Sequence, residues 1–394
     1  MTMKKPGLLA RIVIAIALGI GAGHIMPEWG VRMFATFNAV FSEFLGFVIP
    51  LLIVAFVAPA IADVGRGAGK MLAATAAVAY AATLLAGFGS FAVSDALFPS
   101  MISPVGITGA AEAAGAPEPF FTVAMPPLMS VSSSLVLAFV LGLGTAALPQ
   151  GNAMKKVLDN LRDIITGVVN GAILPLLPVY IFGIFLGITM AGQVAGILST
   201  FAKIIAVIFV MHIGILVLQY CVAAFFSRGS RNPLRLLSGM LPAYFTALGT
   251  QSSAATIPVT LERAVAIGVP RQIAGFTIPL CATIHMSGST LKIVACAVAL
   301  MLTNGLPYTP GMFAGFICML GVTIIAAPGV PGGAIMASLG LLSSMLGFSE
   351  ADNALMIALY ITMDSFGTAC NVTGDGAISI IIARLFPQTA TRTA

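Results

Sequence analysis

Two acids, an amide and a hydroxyl lie at helical spacing within the last apolar run of the chain. Asp364, Thr368, Asn371 and Asp375 occupy positions i, i+4, i+7 and i+11, which share one face of an α-helix. Ionisable side chains inside an apolar helix are costly and mark ion or substrate pathways. The pattern therefore predicts a polar binding site, with a purely structural polar seam as the alternative.

A second polar segment combines hydroxyl side chains with a proline. It runs over residues 250–260 and contains Ser252, Ser253 and Pro258. Ser and Thr favour a helix N-terminus, and proline suits a helix start. The segment therefore predicts a helix start whose free amides could bind an anion. A serine-rich contact between helices in lipid is the alternative.

Two further segments interrupt apolar runs. Residues 326–334 contain two prolines and three glycines, which break a helix and free backbone carbonyls that could ligate a cation. A simple kinked helix is the alternative there. Residues 283–289 read Thr-Ile-His-Met-Ser-Gly-Ser and predict a break in another helix.

The elements that position these segments must be membrane helices. Of the 394 residues, 59% are apolar and only 8% are charged, whereas soluble domains carry about 25% charged residues. A spanning helix requires about 20 apolar residues, so we predict an all-α polytopic membrane protein. The predicted spans are 8–27, 36–62, 71–98, 127–148, 164–191, 197–226, 273–303 and 354–383.

Two more apolar stretches, 233–262 and 309–348, are interrupted by small and polar residues. With a cytoplasmic N-terminus, 15 of the 18 Lys and Arg residues fall in inner segments, as the positive-inside rule requires. This holds only if both stretches are re-entrant hairpins, the first entering from the cytoplasm and the second from outside. Opposed discontinuous helices at the midplane are typical of secondary transporters.

Other classes of protein are disfavoured. The net charge of +5 follows from the placement of Lys and Arg in inner segments, so no nucleic-acid partner is predicted. The five cysteines and three histidines are dispersed, and no Ser-His or metal constellation is visible. We therefore predict that the chain is not an enzyme, and the two-sided hairpins favour alternating access over a channel.

The motifs Ser252-Ser253-x-x-Thr256-x-Pro258 and Asp364-x-x-x-Thr368-x-x-Asn371-Val372-Thr373-Gly374-Asp375 resemble those of the dicarboxylate/amino acid:cation symporters. This family includes the glutamate and neutral amino acid transporters, and the resemblance covers nearly the whole chain. It implies a glutamate-transporter-like fold with eight transmembrane helices and two re-entrant helical hairpins. It also implies a homotrimer that works by an elevator mechanism.

The resemblance divides the chain into scaffold and transport elements. The scaffold would comprise helices 1–2 (1–70) and the outer loop with helices 4–5 (99–192). The transport domain would comprise the remaining segments: helix 3 (71–98), helix 6 (193–227), hairpin one (228–268), broken helix 7 (269–304), hairpin two (305–349), and helix 8 with the tail (350–394).

Family roles transfer to matching positions. Asp364 would pair with the α-ammonium of an amino acid, and Asn371 with the backbone near Ser252 and Ser253 would hold the α-carboxylate. The full expected substrate site is Ser252, Ser253, Ser289, Val330, Gly332, Asp364, Gly367, Thr368 and Asn371.

The same resemblance implies coupled sodium ions. Asp375 would be the sodium carboxylate, helped by backbone carbonyls near Cys281, His285 and Asn371. A second sodium site would use second-hairpin carbonyls together with helix 7, and its expected members are Ile324, Ile325, Ala327, Thr283 and Met286. The third sodium site of the family is expected to be lost or weakened, because its acid is replaced by Ser287.

Gly367 departs from the acidic-substrate members, which carry Arg three residues after the first Asp. A buried substrate carboxylate without a cation would cost several kcal/mol, so a neutral amino acid is favoured over glutamate or aspartate. Serine or threonine leads because Ser289 and Thr368 could bond a hydroxyl, with alanine next. A dicarboxylate or acidic amino acid remains the less favoured alternative.

His285 and Lys292 each have two interpretations. An imidazole at a former cation site could take a proton and make the carrier proton-coupled or uncoupled, or it could stay neutral and bond the unwound backbone. Lys292 lies too deep for easy snorkelling. It is either an internal cation replacing an ion, facing Asp375 or Glu262, or a lysine in a polar cavity or against the scaffold. The leading prediction is a sodium-coupled symporter in the plasma (inner) membrane with both termini cytoplasmic.

Overall fold

The regular structure of the chain is helical throughout the residues that the computed structural model describes. These are residues 8–64, 70–102, 118–149, 151–192, 194–227, 232–325 and 332–386. The helices are α1 (Leu8–Gly23), α2 (Glu28–Val64), α3 (Lys70–Met101), α4 (Val131–Ala147), α5 (Ala153–Val168), α6 (Leu174–Met190), α7 (Val194–Phe226), α8 (Pro233–Gly239), α9 (Leu241–Thr250), α10 (Ser253–Ala266), α11 (Arg271–Ile284), α12 (Ser287–Asn304), α13 (Pro310–Ile325), α14 (Gly333–Leu346), α15 (Glu350–Thr362) and α16 (Asp364–Leu385).

Six helical stretches within this part of the chain are long and apolar enough to cross a bilayer. They are Glu28–Pro59, Lys70–Met101, Ala153–Met190, Val194–Phe226, Arg271–Asn304 and Asp364–Leu385. Shorter apolar helices, among them α13 and α14, accompany them. The prediction of an all-α polytopic membrane protein is therefore confirmed.

The predicted span 164–191 begins too late. Helix α5 starts at Ala153 and joins α6 through a π-helical turn at Val169–Ile173. Asp159 pairs with Lys155 at 2.6 Å and with Arg162 at 3.3 Å, at helical spacings of four and three. Such pairs stabilise a helix beyond its apolar part, which hydropathy does not reveal. The predicted span 127–148 begins too early, because α4 begins only at Val131.

The predicted last span, 354–383, is in fact two helices. Helix α15 ends at Thr362, and Met363 leaves helical geometry at φ −106° and ψ 9° before α16 begins. Asp364 therefore lies in the first turn of α16, where the helix dipole favours a negative charge. The break places this acid at a helix terminus and not in the middle of a helix.

The first hairpin turns at Gln251, whose φ of 54° is left-handed. Helix α10 starts at Ser253, and the Ser252 side chain caps it by accepting from the amide of Ala255 at 3.3 Å. The expected helix start is confirmed, but the role given to Pro258 is wrong because it lies inside α10. The serine cap, not the proline, sets the first turn.

The second hairpin is built from α13 and α14. Gly332 precedes α14 with a φ of 77°, a left-handed conformation that suits glycine. Ala327 and Val330, two of the expected site residues, lie outside the described residues.

Helix α12 lies at the centre of the structure. Its flanks contact α3 and α16. In the contact with α3, the Ser90 hydroxyl donates to the carbonyl of Leu291 at 2.7 Å. Nearly all of its residues are buried, including Lys292. A helix buried on all sides is a rigid platform for the groups that it carries.

Candidate functional site

The break between α11 and α12 lies where it is expected. Helix α11 ends at Ile284, and α12 begins at Ser287. Asn371 of α16 caps the start of α12, because its Oδ1 accepts from the amide of Gly288 at 2.8 Å and from that of Ser289 at 3.4 Å. A side chain from another helix thus satisfies amides that the break leaves free.

Asn371 also donates through its amide nitrogen. Nδ2 lies 3.1 Å from the hydroxyl of Ser289 and 3.6 Å from the sulfur of Met286. The Tyr360 hydroxyl donates to the same Ser289 oxygen at 3.0 Å. Asn371, Ser289 and Tyr360 therefore form one buried hydrogen-bonded group, and Thr368 is buried one turn before Asn371.

Lys292 forms an ion pair with Asp364. Its Nζ lies 2.8 Å from Asp364 Oδ1, and the lysine is 0% and the aspartate 4% exposed. The expectation that Lys292 faces Asp375 or Glu262 is therefore wrong. The break at Met363 explains the difference, because it brings the first turn of α16 beside the middle of α12.

Two further groups surround the Lys292 ammonium. It lies 3.4 Å from the centroid of the Tyr360 ring and 3.4 Å from the Tyr360 carbonyl oxygen. A Cβ atom at Gly367 would lie 2.8 Å from Nζ and 2.9 Å from Cε. The lysine tip thus fills the space beside Gly367 and contacts an aromatic face that attracts cations.

The second oxygen of Asp364 connects α16 to the second hairpin. Oδ2 accepts from the amide of Gly332 at 2.8 Å. The first hairpin reaches the same turn, because Gln251 Nε2 donates to the Ser365 hydroxyl at 2.8 Å. Both hairpins therefore contact the first turn of α16. Ser252 and Ser253 are half-buried at the first-hairpin tip.

Asp375 faces the helix break. His285 Nδ1 lies 2.9 Å from Asp375 Oδ1, and both residues are 1% exposed. The side-chain amide nitrogen Nε2 of Gln219 lies 3.5 Å from His285 Nε2. The backbone amide of His285 donates to the carbonyl of Cys281 at 2.8 Å. The acid and the imidazole therefore lie together beside the helix break.

The residues expected for the second sodium site differ in how far they are buried. Met286 and Ile324 are buried, and Ile325 is half-buried at the end of α13. The Thr283 side chain is exposed and donates to the carbonyl of Leu280 at 2.7 Å. Such a site would use backbone oxygens, because Thr283 already bonds its own helix.

Sequence reasoning missed three residues of this region. Tyr360 contacts Lys292 and Ser289, Gln251 binds Ser365, and Gln219 approaches His285. The sequence does point to Gln219, because a polar side chain in an apolar run requires a hydrogen-bond partner. Tyr360 had none, since a tyrosine in an apolar helix is ordinary.

Gly288 allows α12 and α16 to approach closely. A Cβ atom there would lie 2.7 Å from both the Cβ of Cys370 and the carbonyl oxygen of Gly367. Gly288→Ala is therefore expected to destabilise the protein by about 1–3 kcal/mol through overpacking. The measurement is thermal unfolding of the purified protein. Gly275→Ala is the control, because its Cβ would meet nothing within 4 Å, and an equal effect of both changes would contradict the packing argument.

Comparison with known proteins gives a consistent result. The profile of the Sodium:dicarboxylate symporter family matches residues 8–385. The serine/threonine transporter SstT of Acinetobacter baumannii is 26% identical over 386 residues, covering 94% of this chain and 95% of that protein. SstT of Enterococcus faecalis is also 26% identical, over 95% and 90% of the two chains. The mouse excitatory amino acid transporter 4 is 29% identical over 60% of this chain and 42% of its own length.

The family match extends from the first described helix to the end of α16. It confirms the resemblance drawn from the motifs and, with the helical architecture, the glutamate-transporter-like fold. It also confirms the exclusion of an enzyme, since the family consists of transporters. The chain therefore belongs to the Sodium:dicarboxylate symporter family, a family of membrane symporters.

Proposed function

We propose that the protein is a sodium-coupled symporter of a small neutral amino acid, with serine and threonine favoured and alanine next. The observation that carries the proposal is the pairing of Lys292 with Asp364 beside Gly367. Position 367 supplies no guanidinium, and the nearest cation is already neutralised by Asp364. A substrate with a second carboxylate would therefore be buried without a free partner, at a cost of several kcal/mol.

The polar groups of the site suit an amino acid. Asp364 would take the α-ammonium, and Asn371 with the amides at the first-hairpin tip would hold the α-carboxylate. Ser289 and Thr368 lie near Asn371 on α12 and α16 and would bond a side-chain hydroxyl. The two SstT relatives, which are serine/threonine transporters, support this substrate class.

Sodium would bind at the acid of the helix break. Asp375 offers a buried carboxylate, and Cys281, His285 and Asn371 supply backbone carbonyls at or near the break. Sodium prefers such oxygen ligands, as hard cations do. Since His285 contacts Asp375 in this structure, the imidazole would have to move aside when the ion binds. A second ion would use backbone oxygens of Ile324, Ile325 and Ala327 with Thr283 and Met286.

The transport cycle would be an elevator movement in a homotrimer. The elements 71–98, 193–227 and 228–394 would move as one body against a scaffold of 1–70 and 99–192. The distribution of Lys and Arg supports an orientation with both termini in the cytoplasm, in the plasma (inner) membrane. The contacts of both hairpins with α16 support their assignment to one moving body.

Uptake by the purified protein in liposomes tests the substrate class. We expect labelled serine or threonine to accumulate under an inward sodium gradient, while aspartate and succinate do not. Alanine should follow, since it fits the same groups without the hydroxyl bond. Strong uptake of aspartate or succinate would contradict the proposal, because it would mean that Lys292 serves the substrate carboxylate.

A second candidate is a carrier of the same fold that is proton-coupled or uncoupled. It rests on the contact between His285 and Asp375, which occupies the carboxylate expected to hold sodium. The two candidates differ in the ion that drives accumulation. Comparing uptake with and without sodium therefore separates them.

A further inference from the structure

Lys292 has no assigned role in the substrate and ion sites proposed above, although it is a fully buried cation that contacts one of their acids. Its ammonium lies 2.8 Å from Asp364, the acid proposed to bind the substrate ammonium. Among the residues that the structure describes, Asp364 is the acid within ion-pair distance of it. One carboxylate thus has two candidate cations, one covalently attached to α12 and one carried by the substrate.

We propose that the Lys292 ammonium substitutes for the substrate ammonium at Asp364 when no substrate is bound, an inference that rests on the proposed function. In the substrate-free carrier its ammonium neutralises Asp364. When the amino acid arrives, its ammonium binds the same carboxylate and Lys292 shifts slightly toward the Tyr360 ring. The empty site closes and crosses the membrane without an exposed or unpaired buried charge. Lys292 is therefore a positioning residue for the return step of the cycle.

The geometry of Asp364 supports this role. Oδ1 accepts from Lys292, and Oδ2 accepts from the amide of Gly332 in the second hairpin. A neutralised Asp364 thus holds the second hairpin against α16 with no substrate present. A buried carboxylate that lacked a cation would strongly disfavour the same closed arrangement.

Lys292 also has a place to remain when the substrate binds. The centroid of the Tyr360 ring and the Tyr360 carbonyl oxygen both lie 3.4 Å from its ammonium. A cation desolvated over an aromatic face retains part of its stabilisation. A carboxylate can accept from more than two donors, so the lysine needs only a small displacement.

Gly367 is the second requirement of this arrangement. A Cβ there would overlap the last two atoms of Lys292, at 2.8 Å and 2.9 Å. Because these atoms are the flexible end of the side chain, Gly367→Ala would push the ammonium away from Asp364 without disturbing the helix backbone. This variant changes the position of the cation while keeping both charges.

The test separates net uptake from exchange in liposomes. Net uptake into empty vesicles requires the substrate-free carrier to return, whereas exchange with internal unlabelled substrate does not. The substrate is whichever amino acid the wild-type protein carries. Uptake by the wild-type protein tests the proposed function, and the ratio of net uptake to exchange in each variant tests this inference. For Lys292→Met we expect net uptake to fall about tenfold or more, with exchange within about threefold of wild type, since a factor of ten corresponds to a modest change in free energy.

Gly367→Ala should lower net uptake more than it lowers exchange, by a smaller ratio than in Lys292→Met. Gly275→Ala, at an open position on α11, should change neither rate. Equal net uptake in wild type and Lys292→Met would overturn the inference. A parallel loss of net uptake and exchange in both Lys292→Met and Gly367→Ala would also overturn it, because it would indicate only a structural role.

Discussion

Asp364→Asn is expected to lower uptake of the transported amino acid by about a hundredfold, which corresponds to nearly 3 kcal/mol. The substitution removes the charge that is proposed to bind the substrate ammonium. It also leaves Lys292 buried at 0% exposure without a counter-ion. Breaking a buried pair by removing one partner costs about 3–5 kcal/mol. The measurements are uptake in liposomes and thermal unfolding in detergent.

The double variant Asp364→Asn with Lys292→Met separates the two effects. Removing both members of a buried pair restores much of the stability that the loss of one member costs. We therefore expect the unfolding temperature to recover toward wild type, while uptake stays low. Recovery of uptake together with stability would show that Asp364 serves only to neutralise Lys292 and has no role in binding substrate.

Asp375→Asn is expected to weaken the dependence of uptake on sodium strongly. Asp375 is 1% exposed and is the acid beside the break between α11 and α12. A desolvated cation without a carboxylate is held poorly. The sodium concentration for half-maximal uptake should rise by about a hundredfold or more, on the scale of about 1.4 kcal/mol for each factor of ten. The measurement is the initial rate of uptake against external sodium at a fixed substrate concentration.

His285→Asn is the matched comparison for this prediction. The imidazole lies 2.9 Å from Asp375 and competes for the carboxylate that sodium would use. Hydrogen bonds to charged groups contribute about 1.5–3 kcal/mol, so removing this one should lower the half-maximal sodium concentration by about tenfold. If His285→Asn instead abolished uptake, the imidazole would be part of the coupling mechanism. That result would favour the second candidate function, a proton-coupled carrier of the same fold.

The helix break and the first-hairpin turn could be predicted because small local signals fix them. Ser252 caps α10, and the run around His285 lacks the residues that a continuous helix favours. Membership of a transporter family followed from motifs whose residues are close in sequence, such as Asp364 to Asp375. These features depend on neighbours along the chain, so one sequence is enough to read them.

The partner of Lys292 could not be predicted because it depends on packing between separate helices. Asp364 is 72 residues away, in the first turn of a separate helix that begins after the break at Met363. Nothing in that run signals a break, since it contains neither Pro nor Gly near Met363 on its N-terminal side. The contact of His285 with Asp375 is of the same kind, because the two residues are 90 positions apart in the sequence.

The most direct test of the proposed function is to identify the ion that drives uptake of serine or threonine. Purified protein in liposomes would receive an inward sodium gradient alone, then an inward proton gradient alone, with labelled serine, threonine and aspartate outside. We expect concentrative uptake of serine or threonine with sodium only, and no uptake of aspartate in either condition. Concentrative uptake with protons and without sodium would contradict it.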